Sequence, residues 1–255
     1  MLLFITLIAL LVSAWIFTSW LYKPGNFPIR KVELINKLEN QESRELQQVA
    51  AKALNGGFFS LNVKAFRAEI LSKLPWLKTV SVRKVWPNKL LVSITEHKPV
   101  VRWLSTDKDK KSQLKKESRN VELLSSKGLV FEPDLTKEQQ KKFNKMALLT
   151  GPKSSSEKVL QMCYQINNSL KQMQTSIRQC GMNERRTWLL VLDNGIDLKL
   201  GKDNIMQQTE RFIRVFSGQL NNYIGSVDYA DLRYSNGFSV KWKSDNAVQS
   251  KVGEN

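Results

Sequence analysis

Few side chains in this sequence are of the types that carry chemistry. His97 is the single histidine, so a histidine-based nucleophilic triad would have to use it. It follows an alternating segment, beside Glu96 and Pro99, where we expect a partly exposed structural histidine. Asp228 and Asp231 are three residues apart in a predicted strand, so they point to opposite faces and do not share a proton.

Sequence motifs of enzymes do not support catalysis either. No G-x-S-x-G, H-E-x-x-H or Walker loop occurs, and Gly56-Gly57 is better explained as the end of a helix than as a phosphate loop. A serine hydrolase with a lysine base has no support beyond the abundance of both residue types. We therefore predict no catalytic residues, no cofactor and no metal site.

The two cysteines leave one question open. Cys163 and Cys180 form no C-x-x-C pair of the kind that binds metal or exchanges disulfides. We expect two buried free thiols. A disulfide is the alternative, and an oxidising compartment would permit it.

An uncharged apolar segment opens the chain. Residues 2–22 are long enough to cross the hydrocarbon core of a bilayer as a helix, and Trp20 lies near the end of the segment, where aromatic rings favour the membrane interface. No small-x-small cleavage site follows, so we predict a retained transmembrane helix from Leu2 to Tyr22 and not a cleaved signal peptide.

The orientation of this helix conflicts with a simple charge rule. Lys23, Arg30 and Lys31 follow the helix and no basic residue precedes it, which by the positive-inside rule would place the rest of the chain in the cytoplasm. We expect that Met1 is an internal or late start, and that a basic tail belongs before it.

The remainder of the chain is strongly basic. It carries all 40 Lys and Arg and all 23 Asp and Glu, for a net charge of +17. Nucleic acid, anionic lipid or an acidic partner would each suit such a charge. Because no nucleic-acid-binding motif is present, we expect no nucleic-acid partner. A basic, membrane-tethered protein that binds nucleic acid or anionic lipid is the alternative. We interpret the basic insertion at 105–120 as a solvated loop.

The first part after the helix predicts the order strand, helix, helix, strand, strand. A strand at 29–35 precedes a helix that starts after residues 40–43 and ends at Asn55-Gly56-Gly57. Asn62 is the expected N-cap of the second helix, which Pro75 ends. Two alternating strands then flank Trp86-Pro87-Asn88-Lys89, where Pro87 fits the second position of a turn. We expect Trp86 to pack under this hairpin.

The second part predicts a mainly antiparallel sheet flanked by helices, so that the whole chain is of the α+β class. Asn194-Gly195 lies between two alternating segments, which is a strong hairpin signal. The other predicted elements are a hairpin at 121–131, a loop at 149–152, helices at 156–170 and 205–220, and last strands at 227–234 and 238–242.

These segments resemble the FtsQ/DivIB family of bacterial cell-division proteins. FPIRKVELINK, NGGFFSLNVKAF and LPWLKTVSVRKVWPNKLLVSITEHKPVVRW are similar to the family's POTRA module. SSKGLVF, LTGP, NERRTWLLVLDNGIDLKLG and VDYADLRYSNGFSVKW follow its β-domain in order, except that Leu148-Leu149-Thr150 replaces the family's usual Leu-Pro. The resemblance implies an anchor at 1–23, a POTRA domain at 27–98, a β-domain at 99–243 and a disordered tail at 244–255.

The resemblance also implies a function and partners. Family members are single-pass proteins of the inner membrane whose C-terminal part is periplasmic, at the division septum, where they act as scaffolds. The implied partners are FtsB, which comes with FtsL, and other division proteins, and weak self-association is compatible with the family. The residues carried over as FtsB contacts are Arg185, Leu232, Arg233, Tyr234, Asn236, Gly237, Ser239 and Trp242.

The physics of a last strand agrees with this implied role. A strand at a sheet edge has unpaired N–H and C=O groups, to which a partner strand can add. Tyr234 and Trp242 have the composition of interface hot spots, although each could instead be a core aromatic. A second, weaker candidate interface lies near Lys84 and Trp86, at the edge of the POTRA hairpin.

Overall fold

The computed structural model describes residues 2–36, 38–40, 43–107, 122–218 and 220–243. It divides into two compact units, Met1–Lys98 and Pro99–Asn255, which are described separately below. The basic insertion and the C-terminal tail of the sequence analysis fall almost wholly outside the described residues.

The first unit begins with helix α1, Leu2–Tyr22, whose bounds match the predicted transmembrane segment. Residues Leu3–Tyr22 are apolar enough to cross a membrane, and the apolar window within them contains no buried residue. A helix of this length rises about 32 Å, which matches a hydrocarbon core of about 30 Å. The chain therefore has one candidate membrane span within its described residues.

The rest of the first unit has the predicted order of elements. It comprises β1 (Lys31–Leu34), α2 (Ser43–Ala53), α3 (Val63–Lys73), β2 (Leu77–Val85) and β3 (Lys89–Glu96). The strand order is β1-β3-β2, with β1 parallel and β2 antiparallel to β3. Asn62 caps α3 as predicted, because its side chain accepts hydrogen bonds from the amides of Lys64 and Ala65.

The core of this unit comes from the buried faces that the periodicity predicted. Phe66 and Ile70 of α3 pack with Val80, Leu90 and Val92 of the hairpin, and none of the five is more than 1% exposed. The apolar face of the helix, set by its helical spacing, thus packs against the apolar face of the hairpin, set by strand alternation.

The β2–β3 hairpin differs from its prediction at Trp86. Residues 86–88 form the turn, as predicted, and the Trp86–Pro87 peptide is cis. Trp86 is 59% exposed and does not pack under the hairpin. The expectation for His97 was also wrong: it is only 7% exposed, because it follows β3 directly and its amide donates to the carbonyl of Trp76.

The second unit is one mixed sheet with helices. Its elements are β4 (Pro99–Ser105), β5 (Glu122–Ser125), β6 (Val130–Phe131), α4 (Lys137–Asn144), β7 (Leu148–Gly151), α5 (Ser156–Leu170), β8 (Ile177–Met182), β9 (Trp188–Leu192), β10 (Asp197–Lys199), α6 (Ile205–Ser217), β11 (Val227–Asp231) and β12 (Ser239–Trp242). The order in the sheet is β12-β11-β10-β9-β8-β7-β4-β5-β6. Three neighbouring pairs are parallel and the others antiparallel, which confirms the α+β prediction.

The centre of this sheet was mispredicted. The expected loop at 149–152 is largely β7, which pairs in parallel with β4 on one side and β8 on the other. Its pairing depends on strands distant in sequence, which local turn signals cannot reveal. The approach of β8 to β7 is so close that a Cβ at Gly181 would overlap Thr150, so a glycine is required there.

The cysteines also differ from the expectation. Cys163 of α5 and Cys180 of β8 form a disulfide, with Cα atoms 6.1 Å apart, so the prediction of two free thiols is wrong. The predicted burial is correct, since both lie in the core of the second unit. Spacing could not show the pairing, because the contact between α5 and β8 is tertiary.

The buried His97 predicts a pH dependence of the first unit. Burial lowers the pKa of His97 from its ordinary value of 6.5, and the positive charge of Lys78 lowers it further. As the pH falls below about 6.5, the unfolded chain therefore binds a proton before the folded chain does. We expect hydrogen exchange of the buried β3 amides to report a loss of stability over this range. His97→Gln should flatten the loss, and an equal slope in both proteins would contradict the prediction.

Candidate functional site: the β12 edge

The candidate site is built around the last strand of the sheet. β12 pairs antiparallel with β11 and, among the described residues, with no other strand. Ala230 faces Val240 and Asp231 faces Ser239 in this pairing. The prediction that the last strand lies at a sheet edge is confirmed. Within the described residues, no strand pairs with the backbone groups on its outer side.

The aromatic side chains at this edge point to solvent. Tyr234, in the loop between β11 and β12, is 58% exposed, and Trp242 at the end of β12 is 45% exposed. The alternative that they are core aromatics is therefore excluded. Asn236 and Ser239 are exposed as well, and Gly237 is half-buried.

Two neighbouring residues behave differently from Tyr234. Leu232 is 1% exposed and belongs to the core of the second unit, which corrects its assignment as a contact residue. Arg233 donates to both carboxylate oxygens of Asp231, at 2.8 Å from Nε to Oδ1 and 2.6 Å from Nη2 to Oδ2. These bonds hold the pKa of Asp231 below its usual value, against the opposing effect of burial. The guanidinium of Arg233 is therefore bonded within the protein, while 57% of its side chain stays exposed to solvent.

The β11–β12 loop, which carries Tyr234, is fixed by hydrogen bonds from a side chain of α6. Arg211 donates from Nη1 to the carbonyl oxygens of Tyr234 (3.1 Å) and Gly237 (3.2 Å), and from Nη2 to that of Ser235 (2.7 Å). At the end of the loop, the ring of Phe238 lies 5.8 Å from that of Phe212. Arg211 was not among the residues predicted from the sequence. Its one signal was its place directly before Phe212, on a predicted core helix.

The predicted contact residues lie at two ends of the strand. Arg185 lies in the turn between β8 and β9, and pairing places that turn at the same end of the sheet as the β11–β12 loop. Three strand spacings of about 4.8 Å separate β9 from β12. Trp242 lies at the opposite end of β12, where it pairs with Val227. The structure therefore brings Arg185 and residues 233–239 to one end, and Trp242 to the other.

Cationic side chains cover one face beside the edge. Lys199 Nζ lies 4.1 Å from the ring centroid of Tyr229, and Lys241 Nζ lies 5.7 Å from it. Asp228 forms an ion pair with Lys241 at 3.2 Å. Asp228 and Asp231 have separate cationic partners, Lys241 and Arg233. In the part of the chain that the structure describes, no three His, Cys, Asp or Glu residues form a group suited to a metal ion.

The second candidate interface lies at the edge strand β2 of the first unit. Lys84 Nζ donates to the carbonyl oxygen of Leu61 at 3.1 Å and lies over the ring of Phe58. Burial lowers the pKa of this amine from its ordinary value. Trp86 is exposed beside it, so the two predicted residues do meet on one surface.

Comparison with known proteins finds a matching family model in each of the two units. The model of the FtsQ-type POTRA domain matches residues 27–97, and that of the C-terminal region of cell division protein FtsQ/DivIB matches residues 114–233. The chain belongs to the FtsQ/DivIB family. It therefore has a role in bacterial cell division, and the family resemblance seen in the sequence is confirmed.

Curated relatives cover nearly the whole chain. Cell division protein FtsQ of Coxiella burnetii is 30% identical over 224 residues, 88% of this chain and 84% of that protein. FtsQ of Aliivibrio fischeri is 29% identical over 96% of this chain and 88% of its own length. FtsQ of Escherichia coli is 28% identical over 92% and 80%, respectively.

The contacts of Arg211 predict that α6 controls the β11–β12 loop. Arg211→Lys cannot reach all three carbonyl oxygens with one amine, so the loop should open more often. Hydrogen-exchange mass spectrometry should show several-fold faster exchange in a peptide covering 232–238, with β9 unchanged. Arg214→Lys is the matched control, because Arg214 is an exposed arginine on the same helix. Equal exchange in both variants would contradict the role of Arg211.

Proposed function

We propose that this FtsQ/DivIB-family protein is a non-enzymatic, single-pass scaffold of the division machinery that binds FtsB, together with FtsL, by strand addition at β12. The observation that carries the proposal is the open edge of β12, with an exposed aromatic residue near each end. The proposed organisation is an anchor at 1–23, a POTRA domain at 27–98, a β-domain at 99–243 and a tail at 244–255.

Backbone geometry supports strand addition. The amide of Lys243 donates to Ser226 at 2.8 Å, on the β11 side. Successive N–H groups of a strand point to opposite sides, so those of Val240 and Trp242 face away from β11. A partner strand can bond to them without disturbing the sheet. Tyr234, Trp242 and the exposed side of Arg233 then supply the side-chain contacts that select the partner.

The proposed location is the inner membrane, with the second unit in the periplasm and the protein at the division septum. The disulfide between Cys163 and Cys180 supports this orientation, because disulfides persist in oxidising compartments. A phosphatase reporter, active only in the periplasm, can be fused after Asn255. We expect activity from the fusion, and an inactive but intact fusion would reject the periplasmic assignment.

The aromatic residues give a direct test of the binding surface. Tyr234→Ala and Trp242→Ala should each weaken binding of the FtsB periplasmic segment by about thirtyfold or more, since hot-spot aromatics contribute about 2 kcal/mol or more. Calorimetric titration of the full chain in detergent would measure the change. Tyr164→Ala is the matched control, because Tyr164 is a 66% exposed tyrosine on α5. Unchanged affinity in both edge variants would remove this site.

A backbone substitution separates strand addition from side-chain docking. Proline at 240 removes an outward N–H and is tolerated at a sheet edge, so Val240→Pro should abolish binding while circular dichroism stays unchanged. Val240→Ala, which keeps the N–H, controls for the lost side chain. Full binding by Val240→Pro would exclude strand addition. A steeply salt-dependent shift of duplex DNA would instead favour the nucleic-acid alternative.

A further inference from the structure

An exposed group of aromatic rings lies at one end of the first unit. Phe27, Phe58, Phe59 and Trp86 form what we call the ring cluster. The ring centroids of Phe27 and Phe58 each lie 5.6 Å from that of Trp86, and Phe59 lies 5.9 Å from it. The three phenylalanines are half-buried and Trp86 is 59% exposed. An exposed aromatic ring supported by three others is a candidate interaction surface.

The ring cluster is joined directly to the end of α1. The ring of Trp20, in the last turn of that helix, lies 5.5 Å from the ring of Phe27 in an edge-to-face contact. The connecting segment 23–26 is held by hydrogen bonds: Asn26 Nδ2 donates to the carbonyl oxygen of Trp20 at 2.6 Å, and the amide of Lys23 donates to the same oxygen at 3.3 Å.

The segment after α1 also packs against residues 57 and 58 of the POTRA-like part of the first unit. The amide of Phe58 donates to the carbonyl oxygen of Phe27 at 2.7 Å. A Cβ at Gly57 would lie 2.8 Å from that oxygen and 2.9 Å from the carbonyl oxygen of Pro24, so the backbone approaches too closely for any other residue. The position of the ring cluster relative to the helix end is therefore set by close packing and not by a free linker.

The length of α1 indicates where the ring cluster lies relative to the hydrocarbon core of the membrane. Its rise of about 32 Å fills the hydrocarbon core, so Trp20 lies at the core boundary, and the headgroup layer beyond is about 5–8 Å thick. Trp86 is two ring contacts from Trp20. Lys23 and Arg30 are exposed nearby, and the amide of Arg30 donates to the carbonyl oxygen of Asn88 in the hairpin turn. Aromatic rings with flanking cations are typical of segments at the membrane interface.

We propose that the ring cluster inserts into the headgroup layer of the membrane, on the side where the chain leaves α1, with Trp86 as its most exposed ring. This inference rests on the proposed membrane span. It assigns the Lys84–Trp86 surface to lipid instead of a division protein, and it fixes the β2–β3 turn against the bilayer.

Fluorine NMR of the full chain can test this proposal. The protein is labelled with 5-fluorotryptophan and placed in nanodiscs of phosphatidylethanolamine and phosphatidylglycerol. Trp20→Phe, Trp76→Phe and Trp86→Phe assign three of the seven tryptophan signals. A nitroxide on the lipid headgroup should broaden the signals of Trp20 and Trp86 several-fold more than that of Trp76. Trp76 is the control, because it is buried and lies at the other end of β2.

Each outcome is decisive. If Trp20 is broadened and Trp86 behaves like Trp76, the ring cluster does not meet lipid, and the inference is overturned while the membrane span stands. If neither Trp20 nor Trp86 is broadened, the span itself is rejected, and the inference with it. If Trp86 is unaffected by the nitroxide but shifts on addition of a second division protein, the surface is a protein contact.

Discussion

Each strand of the second unit satisfies its backbone N–H and C=O groups by pairing with a neighbouring strand, and β12 is the last strand of this series. Every strand from β11 to β5 has a neighbour on both sides, while the outer groups of β12 have none among the described residues. A natural edge strand is normally shortened or charged to prevent such pairing. β12 is short, with four residues, but its flanking aromatics are exposed instead of folded over it. Within the part of the chain that the structure describes, no other strand covers this edge.

The β11–β12 loop, which leads into β12, is fixed by contacts with the helix packed against the sheet. α6 makes two such contacts: the ring of Phe212 packs against that of Phe238, and Arg211 binds three carbonyl oxygens of the preceding loop. Arg233 adds a bidentate contact to Asp231 at the end of β11. These contacts fix the conformation of the loop in the protein alone. A loop that is already ordered would lower the entropic cost of association at this edge.

Local signals explain which parts of this structure were predictable. The cap at Asn62, the alternation of β2 and β3 and the helical spacing of α6 are set by neighbours in sequence, and all three were predicted. Features that depend on contacts distant in sequence were not. β7 was predicted as a loop because its strand neighbours are far along the chain. The contacts of Arg211 were missed because they join residues 23 to 26 positions apart. Leu232 and Tyr234 are two residues apart, yet only the packing of the sheet shows that the first is core and the second surface.

The small size of the edge determines what a partner must supply. A four-residue strand offers only a few new backbone hydrogen bonds, each contributing about 0.5–1.5 kcal/mol net. Association costs about 4–15 kcal/mol in lost freedom, so backbone pairing alone cannot hold a complex together. Burial of aromatic rings must provide the remainder. In this protein the exposed rings of Tyr234 and Trp242 lie near opposite ends of β12, where one partner segment running along the strand would meet both.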